Sequence, residues 1–155
     1  MSLISYPLRL EKPPVPRATD FLARRGRYSE TRYNPEGRHL AADIAAALGI
    51  DALAVLPGRI THASRYGDLG NVVALEDDRY GYEWRYAHLS RIRVELGDRV
   101  ERRRHLGDVG HSGNATGNHL HLVVLAEPLR GRSWGSVPFI DPYPFLLDAW
   151  RELNA

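Results

Sequence analysis

Cysteine is absent from the 155 residues, which excludes a disulfide framework, thiolate metal sites and a cysteine nucleophile. Lysine is almost absent as well. Lys12 stands alone, every other basic side chain is Arg, and the formal net charge is only +2. Arg grips carboxylates and phosphates in a two-pronged way, yet even the run Arg102-Arg103-Arg104 lacks the helix or aromatic platform with basic interleaving that nucleic-acid binding needs. No nucleic-acid partner is expected. Long apolar runs are missing too, none approaching the roughly 20 residues that cross a bilayer, so no membrane span is expected. The first ten residues hold no basic region followed by an apolar core and a small-residue cleavage site, so a secretory leader is not expected as written. Any work outside the cytoplasm then implies a mature or trimmed form, or virion-associated or other non-classical delivery.

What is present suits one soluble globular domain. Hydrophobic residues make up 43% and charged residues 26%, and a chain of this length buries roughly 70% of the surface its unfolded form exposes. Pro7 and the cluster Pro13-Pro14-Val15-Pro16 read as an extended arm, because proline neither donates to a ladder nor continues a helix. Thr19 or Asp20 is placed to cap a short helix through Arg25, stopped by Gly26, with a polar loop at 27–37. The expected organisation is an N-terminal arm and short helix at 1–37, packed on a main unit at 38–155.

From Ala52 the pattern turns to β. Runs at 53–56, 59–63, 72–76 and 82–88 are separated by Pro57-Gly58, Gly70-Asn71 and Asp77-Asp78, and the last alternates aromatic with polar residues. Gly97-Asp98 and Gly107-Asp108 read as a repeated turn ten residues apart. Short strands at this spacing predict a mainly β fold, a compact antiparallel sandwich or barrel. Asp141-Pro142-Tyr143-Pro144 introduces a short C-terminal helix at 145–153, capped by Asp141, with Phe145, Ala149 and Trp150 as its buried stripe.

Chemistry concentrates at Gly117-Asn118-His119-Leu120-His121. Side chains on a strand alternate faces, so His119 and His121 point the same way and can share one site. Two adjacent imidazoles suit a metal ligand beside a general base; an isolated His-x-His is more ordinarily a half-exposed pair on a sheet. Upstream, His39 and Asp43 stand four apart, a separation that returns to one face of a helix or a strand. Ala41, Ala42, Ala45, Ala46, Ala47 and Leu48 favour helix by propensity.

His39-x-x-x-Asp43, Tyr86-Ala87-His88-Leu89-Ser90 and Ser112-Gly113 through Thr116-Gly117-Asn118-His119-Leu120-His121 resemble, in order and spacing, the lysostaphin-type zinc endopeptidases of peptidoglycan. Pro57-Gly58-Arg59-Ile60, Tyr66-Gly67, Gly70-Asn71-Val72-Val73 and Gly97-Asp98-Arg99-Val100 match the same family's turns and strands, and the likeness covers roughly residues 38–125. The resemblance implies one Zn2+ per chain on His39, Asp43 and His121, with His88 and His119 as an unliganded catalytic pair. It implies hydrolysis of peptidoglycan stem peptides or cross-bridges through a metal-activated water, one histidine taking its proton and the other steadying the oxyanion or serving the leaving amine. It also implies a loop or strand at 39–43 in place of the helix that propensity favours. Ala41 departs from the family, which usually carries Gly there.

Further expectations follow from the same likeness. Asn71, Tyr66, His111 and Asn118 are candidates to line the substrate groove, although Gly-Asn and Asn-His are also ordinary turn chemistry. His62 and His105 read as surface or partly packed residues. The expected place of action is the bacterial envelope, periplasm or wall, with assembly in a phage particle or envelope complex as a possible setting. A metal-free scaffold of the same fold, binding cell wall or activating another hydrolase, is the alternative; it would be expected to lose ligands, and all five positions are filled. A cupin-like site would need a nearby glutamate and a later histidine, and no histidine follows His121.

Overall fold

The computed structural model of the protein describes residues 2–16, 21 and 38–155. The helix expected at 19–25 and the polar loop at 27–37 therefore lie outside the described residues, Phe21 excepted. Ten strands and one α-helix follow in order: β1 (Ala42–Ala45), β2 (Asp51–Leu53), β3 (Gly58–Arg65), β4 (Asn71–Asp77), β5 (Glu83–Leu89), β6 (Arg91–Ile92), β7 (Arg99–Val100), β8 (His105–Asp108), β9 (His119–Leu125), β10 (Phe139–Ile140) and α1 (Tyr143–Leu153). The larger sheet runs β1-β9-β5-β4-β3-β7 with β10 also on β9, and the smaller runs β2-β8-β6. Both sheets are open and antiparallel, so the fold is sandwich-like and not a closed barrel.

Strand β9 shows how the pattern makes the core. Leu120, Leu122 and Val124 point into the main cluster with Trp84, Tyr86 and Ile44, while Val123 and Leu125 enter a smaller one with Ala41, Leu129 and Val137. The two-residue period leaves His119 and His121 on the face of that smaller cluster. Tyr86 ties β5 to the other sheet: its hydroxyl donates to the Leu53 carbonyl at 2.9 Å and accepts from the Val55 N–H at 3.1 Å. Burial pushes that hydroxyl's pKa far up, so it stays protonated.

Helix propensity fails at β1, where Ala42 and Ile44 are buried while Asp43 and Ala45 are exposed. Four residues pairing along β9 outweigh the small intrinsic preference of alanine. Ala41 is fully buried in the smaller cluster, and its φ is not positive, so the methyl fits without backbone strain.

Two local expectations are corrected. Gly107-Asp108 is not a turn: it lies inside β8, and a Cβ on Gly107 would meet the Arg91 carbonyl oxygen at 2.6 Å, so glycine serves close strand approach there. The C-terminal helix starts at Tyr143, two residues early, because Pro144 suits a first helical turn. The N-cap is accordingly Pro142 and not Asp141, although Asp141 accepts the Tyr143 N–H at 2.8 Å from one residue further out. Leu146 and Ala149 are its buried residues, with Phe145 and Trp150 partly covered and Phe145 edge-on to Trp84 at 5.7 Å.

The first residues complete the core. Ile4, Tyr6 and Leu8 are buried at two-residue spacing, and the segment runs along β2 through Ser5 N to Val55 O, Leu53 N to Pro7 O and Arg9 N to Asp51 O. Its far end meets α1, where the Trp150 indole donates to the Pro13 carbonyl at 3.0 Å.

Side chains reinforce that edge. Arg9 bonds Asp51 at 2.9 Å, His105 lies 3.5 Å from Asp51 and 2.7 Å from Asp108, and Arg93 grips Asp108 at 2.7 Å. Hydrogen bonding from Arg93, helped by His105, holds the Asp108 carboxyl below its ordinary range despite burial. A depressed folded pKa stabilises above the unfolded value of about 3.9 and loses that contribution as pH falls through the folded pKa. Asp108→Asn should therefore lower the thermal midpoint at neutral pH, with the gap to wild type closing below about pH 4. Circular dichroism melts across pH check this; a gap independent of pH would refute it.

Candidate metal centre

Register builds the site. In the β1–β9 ladder Asp43 stands opposite His121 and Ala45 opposite His119, and in the β5–β9 ladder Ala87 stands opposite His121. Residues directly opposite share a face, so Asp43 and His121 are neighbours although 78 positions apart. His39, just before β1, completes the group. Its Nε2 lies 3.3 Å from His121 Nδ1 and 3.3 Å from Asp43 Oδ2, and His121 Nδ1 is 2.9 Å from Asp43 Oδ1.

Three donors of types N, O and N thus converge on one point. A tetrahedral ion with bonds of about 2.0–2.1 Å sets its ligand atoms about 3.3–3.4 Å apart; two of the three separations here are 3.3 Å. His39, Asp43 and His121 therefore fit a divalent cation such as zinc. Three ligands also leave a fourth position open, as a catalytic site requires and a structural one does not.

Electrostatics agree. Partial desolvation opposes ionisation of Asp43, but hydrogen bonds with His121 and His39 outweigh it and hold the carboxyl well below the usual range. Burial keeps His121 below its ordinary value, with Asp43 working the other way. A neutral imidazole and an ionised carboxylate are the forms that bind a metal.

His88 and His119 flank this group. Their rings lie 5.1 Å apart, with His88 5.3 Å and His119 6.4 Å from the His121 ring. Each is held by a backbone carbonyl: His88 Nδ1 by Ser112 O at 2.7 Å, and His119 Nδ1 by Gly117 O at 2.9 Å. A carbonyl only accepts, so both Nδ1 atoms carry hydrogen and the neutral rings keep Nε2 as a bare acceptor. Burial pushes the His88 pKa down to about 4, and the neighbouring His121 and His119 add to the effect against the Ser112 carbonyl and Asp43. His88 has a left-handed backbone, φ 58°, costing roughly 1–2 kcal/mol for a residue with a Cβ.

The groove candidates divide. Asn71 opens β4 and gives its side-chain amide to the Leu89 carbonyl at 2.9 Å. His111 and Asn118 pair with each other at 2.8 Å. Tyr66 stands edge-on to His62 at 5.6 Å and against Trp134 at 5.8 Å, above the Arg85 guanidinium. Ser112, part of the family motif but given no role by it, contacts His88, Leu89 and Asn71. A second acidic cluster, Asp51, His105 and Asp108, has its carboxylates bonded by Arg9 and Arg93 and reads as an ion-pair network.

The family model described as Peptidase family M23 matches residues 37–130. The chain belongs to peptidase family M23. Among relatives, this M23 chain is 31% identical over 121 residues to glycyl-glycine endopeptidase ALE-1 of Staphylococcus capitis, covering 77% of this chain and 32% of that protein. It is 30% identical over 108 residues to peptidoglycan DD-endopeptidase ShyA of Vibrio cholerae, covering 68% and 25%. It therefore spans a third or less of these relatives' length. The catalytic domain of the antimicrobial peptidase lysostaphin from Staphylococcus simulans superposes with a TM-score of 0.63 at 27% identity, covering 91% of this chain and 92% of that one. A zinc-containing peptidase from Vibrio cholerae gives 0.65 at 26%, covering 79% and 37%.

Proposed function

We propose that this M23 chain is a zinc endopeptidase that hydrolyses peptide cross-links of bacterial peptidoglycan in the cell envelope, with residues 38–155 as the peptidase unit and the described residues 2–16 packed on it. One observation carries the reading: three metal donors converge beside two imidazoles that each turn a bare Nε2 away from a backbone carbonyl. His39, Asp43 and His121 hold one zinc. When bound, the ion lowers the pKa of water towards about 7 and polarises the scissile carbonyl.

The remaining chemistry belongs to the chain's own side chains. His119, with about a fifth of its side chain exposed, takes the attacking water's proton on Nε2 while Gly117 O keeps Nδ1–H in place. His88 is buried where a cation is disfavoured, so the proton passed on from His119, whose ring lies 5.1 Å away, is readily given up from its Nε2 to the oxyanion or the leaving amine. The new C–O bond comes from water, the C–N bond breaks, and the proton ends on the amine.

The deciding experiment incubates the zinc-loaded protein with purified peptidoglycans of different cross-bridge types and identifies released fragments by mass spectrometry. Free amine and carboxyl ends at the cross-link are expected, abolished by chelator and restored by zinc. Stoichiometric zinc without any cleavage would instead fit a wall-binding scaffold, and chelator-insensitive lysis would point to other chemistry.

A further inference from the structure

Ser112 makes four hydrogen bonds around the end of β5. Its carbonyl accepts His88 Nδ1–H at 2.7 Å, and its N–H donates to His88 O at 3.3 Å. Its hydroxyl donates to Leu89 O at 2.6 Å and accepts the Asn71 N–H at 3.0 Å. Asn71 bonds the same Leu89 carbonyl from the other side, at 2.9 Å.

Glycines allow this close fit. Gly70 and Gly113 both have positive φ, and a Cβ on Gly70 would meet Ser112 at 2.4 Å, while one on Gly113 would meet Asp68 O and Gly70 N at 2.4 Å. The 112–113 loop is therefore locked against 70–71, on the strand whose register shifts between Asn71 and Val73. Among the described residues the left-handed His88, near the end of β5, has no ladder partner to define its ring direction. The loop supplies one.

We infer that Ser112 is the positioning residue for His88: its hydroxyl, anchored on Leu89 O and Asn71 N, locks its own carbonyl onto His88 Nδ1 and commits the ring to presenting Nε2 to the metal centre. Asn71 acts with it as a second anchor. The importance of this placement rests on the proton-handling role proposed above for His88; the placement itself does not.

The test takes the zinc-loaded full chain, nitrogen-labelled at histidine, and reads the His88 tautomer by long-range proton–nitrogen correlation alongside steady-state kinetics on a cross-linked muropeptide. Wild type should show hydrogen on Nδ1 and a bare Nε2. Ser112→Ala should show mixed tautomers at His88, with kcat about 10- to 100-fold lower and KM and zinc stoichiometry unchanged. Asn71→Ala should shift both readouts the same way by less. Wild-type His88 carrying its hydrogen on Nε2 overturns the inference without any variant, as does a Ser112→Ala protein that keeps both tautomer and kcat. A wild type that cleaves nothing yet shows Nδ1–H at His88 supports the placement and overturns only the endopeptidase reading.

Discussion

Replacing His121 with alanine should remove stoichiometric zinc and peptide cleavage together. His121 is where the two halves of the site meet: its Nδ1 lies 2.9 Å from Asp43 and 3.3 Å from His39, and its ring touches those of His39 and His88. If the roughly 10–16 kcal/mol of a four-ligand zinc site is shared evenly, losing one ligand costs about 10²–10³-fold in affinity. Activity should fall further, because the remaining two ligands no longer fix the ion against Nε2 of His119. Zinc content after dialysis and muropeptide turnover are the measurements, with far-ultraviolet circular dichroism to show that β9 still forms. His121 also belongs to a second possible donor group with His88 and His119, so His39→Ala is the necessary companion. If the metal sits where we place it, His39→Ala also empties the site; if His39→Ala keeps full zinc, the ion lies on the three histidines and the ligand assignment is wrong.

Reading the sequence went furthest where a short-range period carries the information. Alternation along 119–125 shows which residues share a face, whereas Pro57-Gly58 and Gly70-Asn71 are only half turn: Gly58 opens β3, where a Cβ would run into the Glu76 carbonyl oxygen, and Asn71 opens β4. What spacing leaves out is partner and register. Nothing local says that Asp43 faces His121 across a ladder spanning 78 positions; the family resemblance supplied the association and the sheet supplies the contact. Local propensity misled at β1, since alanine's helix preference is small beside pairing and burial of Ala42 and Ile44 on β9. Gly107 was misread for a related reason: glycine marks both turns and places where backbones crowd, and only the neighbouring Arg91 carbonyl tells them apart. The family motif includes Ser112 without giving it a role, because its main service to His88 is through a backbone carbonyl, which every residue type possesses.

His119→Ala should part the two functions that His121→Ala removes together. The His119 ring lies on the same face of β9, but its Nε2 is 3.5 Å from Asp43 Oδ1, and its Nδ1 is committed to Gly117 O at 2.9 Å. Removing it leaves His39, Asp43 and His121 intact, so zinc stoichiometry should be unchanged while kcat falls about 10²–10⁴-fold, the usual contribution of a positioned general base. KM should change little, because neither the ion nor the groove is altered. The truncated side chain leaves a partly open gap beside a site built for an imidazole. Added imidazole should therefore restore part of the lost turnover in a saturable way, and should do nothing for His121→Ala. Full turnover in His119→Ala would remove it as the base and leave His88 as the group that takes the proton; loss of zinc in the same variant would show that His119 supports the metal and would redraw the ligand set.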